Sequence, residues 1–244
     1  MRVVSLAPSA TKIVTALQAE HELVAVTDHC NVDKPSIGGW LTPNIDVVEE
    51  YNPDVLLLTD ALQDHLDVQT EPDCTLVHVD PRTLSDVYDS ITEIAGVLNR
   101  PEIGTDVVAK MRADFAKTHD SVSDSTDNRP VVYCEEWSDP PMAAGNWVPE
   151  IVSIAGGQYP FVEPGKRSKH VSQSDFEQAA PEYIILNICG GGESVSPDRI
   201  YDRGWNSPAV QDNNIFVIDD SLLNQPAPTL TQAATELSTL MSDE

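Results

Sequence analysis

The chain has 244 residues, enough to bury a core as one large domain or two small ones. Forty acidic residues face 14 basic ones, a formal charge of −26 with no single acidic tail, so nucleic acid and anionic membranes are excluded as partners. A hydrophobic content of 41% in regular apolar runs excludes a disordered chain, and the spread of acid is that of a halophilic, acidic protein.

Arg2–Leu6 (RVVSL) predicts a strand that ends at Ala7-Pro8-Ser9. Ser9 is the expected N-cap of a helix over Ala10–Ala19, with Ile13, Val14, Ala16 and Leu17 on its apolar face. Leu23–Thr27 (LVAVT) predicts a second strand, closed by Asp28-His29-Cys30-Asn31. After Gly38-Gly39-Trp40 a short helix is expected at Ile45–Tyr51. Asp54–Thr59 and Thr75–Val79 read as buried strands with a helical stretch between them, and Thr83–Leu98 reads as an amphipathic helix. Alternation of strand and helix is the signature of a parallel sheet covered on both faces.

Pro101–His119 predicts a long helix, because Pro101 suits its first turn and Ile103, Val107, Val108, Met111 and Phe115 recur at helical spacing. At about 19 residues it would span roughly 28 Å, the width of a small domain. A polar stretch, Asp120–Asn128, reads as an exposed loop. The pattern then restarts. Pro130–Cys134, Tyr183–Ile188 and Asn214–Ile218 are expected strands. Val148–Ala155 (closed by Gly156-Gly157), Ser174–Ala180 and Pro228–Met241 are expected helices. The reading is two parallel-sheet α/β lobes joined by one rigid helix: residues 1–100, a linking helix and loop over 101–128, and residues 129–244.

Ligands of open parallel sheets bind beyond the carboxyl ends of the strands. Those ends are Pro8-Ser9, Asp28-His29-Cys30, Thr59-Asp60 and Asp80-Pro81-Arg82 in the first half. In the second they are Glu135-Glu136-Trp137, Cys189-Gly190-Gly191 and Asp219-Asp220-Ser221. Trp40, Trp137, Trp147 and Trp205 fall in loops or at element ends, where they either stack on a flat ligand or plug a loop onto its own lobe. Lys166-Arg167-Ser168-Lys169-His170 gathers three of the 14 basic residues, an anion-attracting patch or a solvated loop.

Cys30, Cys74, Cys134 and Cys189 form no CxxC pair, so separate buried thiols are expected and no zinc site. His29 has no second histidine at helical spacing and makes a poor metal ligand. Ser9 lacks a nucleophile elbow, Gly190–Gly192 lacks the GK[ST] of a phosphate loop, and adjacent Glu135 and Glu136 point to opposite strand faces. No catalytic constellation, catalytic cofactor or metal site emerges. No run reaches transmembrane length, and Met1 leads directly into the first strand. The chain therefore reads as a cytoplasmic monomer without membrane insertion, or as extracytoplasmic if a leader has been removed.

Four stretches carry a family resemblance: RVVSLAPSATKI at Arg2–Ile13, LVAVTDHC at Leu23–Cys30, EWSDPPMAAGNWVPEIVSIAGG at Glu136–Gly157, and the later YIILNICGG. Together they resemble class III, cobalamin-type substrate-binding proteins of ABC importers, which share a fold with siderophore- and haem-binding proteins. The resemblance is closest to their leaderless branch, here with a haloarchaeal composition. Segments Gly190–Glu193 and Trp40–Asp46 are particular to this chain. The resemblance implies a non-enzymatic protein that clasps a corrinoid between its lobes and docks to an ABC permease. Its implied ligand positions are Pro8, Ser9, Asp28, His29, Cys30, Trp137, Asn146, Trp147 and the loop around Lys169 and His170; Trp40 joins them as a loop tryptophan. Alternatives are a siderophore or haem in the same place, or an intracellular corrinoid-processing enzyme.

Overall fold

In the computed structural model, which describes residues 1–60, 63, 66, 74–122 and 129–242, with Glu193 as backbone only, the apolar runs of the first half form a parallel sheet. Strands β1 (Val3–Ser5) and β2 (Leu23–Val26) are followed by a small hairpin, β3 (Gly38–Gly39) and β4 (Thr42–Pro43), then by β5 (Val55–Thr59) and β6 (Thr75–Val79). Their order in the sheet is β2-β1-β5-β6. Every residue of β1 and β5 is buried, as inner strands covered on both faces require. One face packs Val4, Leu6, Ala25, Leu56 and Leu58 against Ile37 and Val48 of the connecting loops.

Helix α1 spans Pro8–Ala16. Its N-cap is Ala7, without a side-chain bond, and Ser9 lies buried inside the first turn. Ser9 is therefore not the cap: the fixed φ of Pro8 starts the helix before serine can. The expected helix at Ile45–Tyr51 is instead two single 3₁₀ turns, Ile45–Val47 and Glu49–Tyr51; the β-branched pair Val47-Val48 has lost χ1 freedom that a regular helix would restrict further. The helical stretch expected between β5 and β6 lies largely outside the described residues, as does most of the loop expected after His119.

Helices α2 (Leu84–Val97) and α3 (Pro101–Ser121) follow, and Arg100 between them binds Glu22 Oε1 through Nη2 at 2.8 Å. Burial alone would raise the pKa of Glu22, but this hydrogen bond and the neighbouring charges outweigh it and leave it lowered. The chain divides into two units, Met1–Pro81 with Ser85–Lys110, and Arg82–Leu84 with Met111–Glu244. The division falls inside α3, so one helix belongs to both. In the first unit α3 approaches α2 at Gly104, where a Cβ would lie 2.5 Å from Ala95 Cβ.

The second unit holds β7 (Val132–Ser138), β8 (Pro141–Ala143), β9 (Lys169–His170), β10 (Tyr183–Leu186) and β11 (Ile215–Val217) in the order β11-β10-β7-β8-β9. The first three strands of that order are parallel, and β8 and β9 extend the edge antiparallel. Helices α4 (Val148–Ile154), α5 (Gln173–Ala179), α6 (Asp198–Asp202), α7 (Pro208–Asp212), α8 (Asp220–Leu223) and α9 (Leu230–Ser242) complete it. The core on one face centres on Tyr133, with Phe161 and Phe176 rings 4.9 and 5.2 Å away. Strand β7 runs past its expected end at Cys134, because Glu135 finds a buried partner and β8 pairs with the extension. Helix α5 is capped by Ser172, whose Oγ accepts from Asp175 N. Among the described residues no helix is long and apolar enough to cross a membrane.

Two glycines separate packing from propensity. Gly104→Ala drives a methyl into Ala95 and is expected to cost about 1–3 kcal/mol. Gly96→Ala, in α2 with nothing within 4 Å of its Cβ, is expected to stabilise by about 0.5–1 kcal/mol. Urea denaturation of both variants checks the opposite signs.

Candidate ligand-binding site

In the first unit the strand-end loops are tied to one another by buried polar groups. Ser5 Oγ donates to Ala7 O at 3.0 Å, Thr11 Oγ1 reaches Ser5 Oγ at 2.9 Å, and the same hydroxyl lies 3.2 Å from Cys30 Sγ. Pro8 and Ser9 are buried beside this chain, while Cys30 is half-buried. Desolvation raises the Cys30 thiol pKa more than the Thr11 and Thr27 hydrogen bonds lower it. Asp28 and His29 are exposed; Asp28 Oδ1 accepts from Ser36 Oγ at 2.5 Å, and His29 holds a positive φ of 67°. Trp40 is half-exposed, and its carbonyl is held by Gln63, which nothing in the sequence marks. The Gln63 amide is 0% exposed: its Nε2 donates to Leu6 O and Trp40 O, while its Oε1 accepts from Thr59 N.

Positive φ outside glycine follows a pattern. Gln18, Asn52, Asn99, Ala180 and Asn213 sit just after helices or helical turns, where a left-handed residue closes the last turn. His29, Asp60 and Asn146 instead lie in loops at or near the ends of strands. Strained backbone of this kind collects where a site is held in one conformation.

In the second unit, Asn146 organises the segment AAGNW. Its N donates to Lys166 O at 2.6 Å, its carbonyl accepts from Gly165 N at 2.9 Å, and its Oδ1 accepts from Arg82 Nη1 at 3.3 Å. Gly145 is compulsory beside it, since a Cβ there would fall 2.4 Å from both Lys166 O and Ser168 N. Lys166, Arg167, Lys169 and His170 are all exposed. They do not converge, because Lys169 and His170 form β9 rather than a loop and point to its opposite faces.

Trp147 differs from the expectation for an exposed tryptophan. It is 3% exposed, and its Nε1 donates to Leu223 O at 2.8 Å, so it plugs α8 onto the AAGNW turn. Trp205 packs on Phe176 and under the Arg203 guanidinium. Trp137 is the ring that remains open, 50% exposed with Nε1 fixed to Asp139 O at 2.8 Å.

Trp137 stands on a hairpin anchored by a buried charge. Glu135 is 0% exposed and accepts from both guanidinium Nη atoms of Arg203, from Tyr133 Oη at 3.0 Å and from Ser138 Oγ at 2.7 Å. Arg199 Nη1 adds a bond to Ser138 Oγ at 2.8 Å. Burial would lower the Arg203 pKa, yet the bond and charge of Glu135 leave it raised; desolvation and the same carboxylate push the Tyr133 phenol up. Glu136, next to Glu135 in the chain, is half-exposed.

A second clasp closes the glycine loop. Asp220 Oδ2 and Oδ1 accept from Gly190 N and Gly192 N at 2.9 and 3.0 Å, placing a carboxylate where an anion would sit in a phosphate loop. Asn224 Nδ2 reaches Asn187 O and Cys189 Sγ at 2.6 and 3.3 Å. The four cysteines are free, but they are not uniformly buried: Cys134 is, Cys30 and Cys74 are partly so, and Cys189 is exposed as a residue. The Cys189 thiol is nevertheless pushed up to about 11, first by desolvation and then by the charge of Glu136. The Asn224 bond to the sulfur works in the opposite direction and does not offset them. Among the described residues no group of three or more His, Cys, Asp or Glu side chains gathers to hold a metal.

The periplasmic binding protein family matches residues 3–222, and the chain belongs to it. It is thus a solute-binding protein of the ABC-transport type. The vitamin B12-binding protein of Vibrio cholerae is 23% identical over 257 residues, covering 98% of this chain and 88% of its own. Among solved structures, the periplasmic haem-binding protein RhuT from Roseiflexus sp. RS-1, in apo form, superposes with a TM-score of 0.80 at 21% identity, covering 99% of this chain and 98% of its own. The periplasmic vitamin B12-binding protein BtuF of Vibrio cholerae gives a TM-score of 0.75 at 20% identity, covering 99% and 96%.

Two outcomes test this geometry. Arg203→Ala strands the Glu135 carboxylate and is expected to cost about 3–5 kcal/mol in urea denaturation, whereas Arg199→Ala, which removes a bond to the Ser138 hydroxyl, costs about 1 kcal/mol. A thiol whose pKa is about 11 is protonated at neutral pH, so alkylation of Cys189, read by mass spectrometry, is slow there and rises with pH towards that value.

Proposed function

We propose that the protein binds cobalamin or a related corrinoid without transforming it, and delivers it to an ABC permease. The observation that carries this reading is Trp137: an indole half open to solvent, locked by its own Nε1 bond on a strand extension that Glu135 and Arg203 anchor. A rigid exposed indole at a strand end suits stacking on a wide, partly apolar macrocycle. The vitamin B12-binding relatives support the corrinoid as that macrocycle. Asp28, His29, Cys30, Trp40, Asn146, Lys169 and His170 are the further ligand contacts in this reading. Buried Pro8, Ser9 and Trp147 support the loops that carry them.

The working parts are residues 1–100, the linking segment 101–128 and residues 129–244, with the protein acting as a monomer on the outer side of the membrane. The acidic surface keeps it soluble in high salt.

A second reading, a haem or ferric siderophore, is favoured by the exposed Lys166, Arg167 and Lys169, which would draw an anionic chelate, and by the likeness to a haem-binding fold.

Titration of tryptophan fluorescence with cyanocobalamin, in molar KCl to screen the surface charge, separates the readings. Saturable quenching that Trp137→Ala abolishes supports the corrinoid. Absence of quenching by folded protein removes it. Lys166→Glu combined with Arg167→Glu leaves corrinoid binding within about threefold but lowers haem affinity tenfold or more, roughly 1.4 kcal/mol.

A further inference from the structure

The glycine loop after β10 holds an anion site that is already filled. Gly190 and Gly192 take positive φ values of 71° and 50°, and nothing lies within 4 Å of a Cβ at either, so glycine serves the backbone conformation there rather than the space. Successive backbone N–H groups in such turns cradle anions. Here the anion is the chain's own. The two oxygens of Asp220 each accept from one of these amides, at 2.9 and 3.0 Å. The bonds fix the carboxylate and do not remove its charge, and Asp220 is half-exposed.

The filled loop lies against the strand that carries Trp137. Beyond the end of β10, Asn187 N donates to Glu135 O at 3.0 Å and Cys189 N to Glu136 O at 2.9 Å. The residue that opens the glycine loop is thus bonded to the residue that precedes Trp137. Glu136 adds a second half-exposed carboxylate. The Cys189 thiol feels both: after desolvation, the charges of Glu136 and Asp220 raise its pKa further.

Resting on the corrinoid-binding function proposed above, we infer that Asp220 sets the specificity of this part of the site: it fills the glycine loop itself, leaves no free amide pair for an anionic group, and presents a carboxylate to the rim of the ligand. The rim that meets it therefore carries neutral amides and not carboxylates. A primary amide donates N–H to the remaining lone pairs of Asp220, whereas a carboxylate has no hydrogen to give and meets a like charge. Selectivity of this kind comes from a cost imposed on the wrong ligand. A corrinoid is bordered by primary amides and haem by two carboxylates, so one residue favours the first and disfavours the second.

The test compares cyanocobalamin with its separated monocarboxylic acids, each made by hydrolysis of one peripheral amide. Affinities are measured by equilibrium dialysis in molar KCl, where the screening length is about 3 Å and the overall surface charge no longer sorts the ligands. Wild-type protein is expected to bind cyanocobalamin tenfold or more tighter than at least one of the acids, roughly 1.4 kcal/mol. The readout is this ratio, so a general loss of binding in a variant cancels. Asp220→Asn, and Asp220→Ser as a second uncharged replacement, lower the ratio to about threefold or less. Asp220→Glu keeps it, and so does Asp212→Asn, which removes an equal charge from another exposed position. Wild-type protein that binds every acid as tightly as the parent overturns the inference and leaves the corrinoid function standing. A ratio that survives both uncharged replacements, or that falls equally in Asp212→Asn, does the same. Folded wild-type protein that binds no cyanocobalamin overturns the function and the inference together.

Discussion

Glu135 holds a carboxylate where no solvent reaches, and the Arg203 guanidinium with Tyr133 and Ser138 makes that position tenable. A buried ion pair adds little stability over an apolar pair of equal volume, but it is unforgiving of displacement, because either partner alone is an uncompensated charge. That intolerance is what a binding site needs. Strand β7 is thereby fixed beyond its apolar run, and β8 and β9 pair onto the extension. Trp137 stands on that extension, where its Nε1 bond to Asp139 O holds the ring, and His170 lies on the strand that completes the edge.

The second unit repeats this logic at a smaller scale. Asn146 and Gly145 are woven into the Lys166–Ser168 backbone, Trp147 plugs the turn against Leu223, and Asp220 occupies the amides of the glycine loop. The first unit uses one buried amide, Gln63, to fix the Trp40 carbonyl to the ends of two strands. In each case an internal polar group satisfies backbone that would otherwise move, and the groups left to solvent are those suited to a ligand. Ordering a loop before the ligand arrives lowers the entropy lost on binding.

Much of the fold was legible because β1, β5, β10 and the first three residues of β7 are largely apolar runs, and α3 announces itself with Pro101 and a regular apolar face. The short strands β8 and β9 were not, since two or three residues hold no period. Ser9 looked like a cap only while Pro8 was read as part of the preceding turn. Trp147 and Trp137 are alike in sequence, both tryptophans at element ends; one meets the Leu223 carbonyl and the other meets solvent, a difference set by residues far along the chain. Gln63 and Arg203 gave no signal, because their partners lie across the fold. The alternation expected for Glu135 and Glu136 meets a register irregularity between Glu135 and Trp137, which two or three residues of sequence could not announce.

The central claim is that rigid strand-end loops present a corrinoid site. Its most direct test is to dialyse the purified protein in high salt against an equimolar mixture of cyanocobalamin, cobinamide, ferric haem and a ferric siderophore, and to identify the retained chelate by its absorption spectrum. Retention of one equivalent of a corrinoid, with the others left in the bath, is the predicted result. Retention of haem or the siderophore instead, or of nothing, contradicts it.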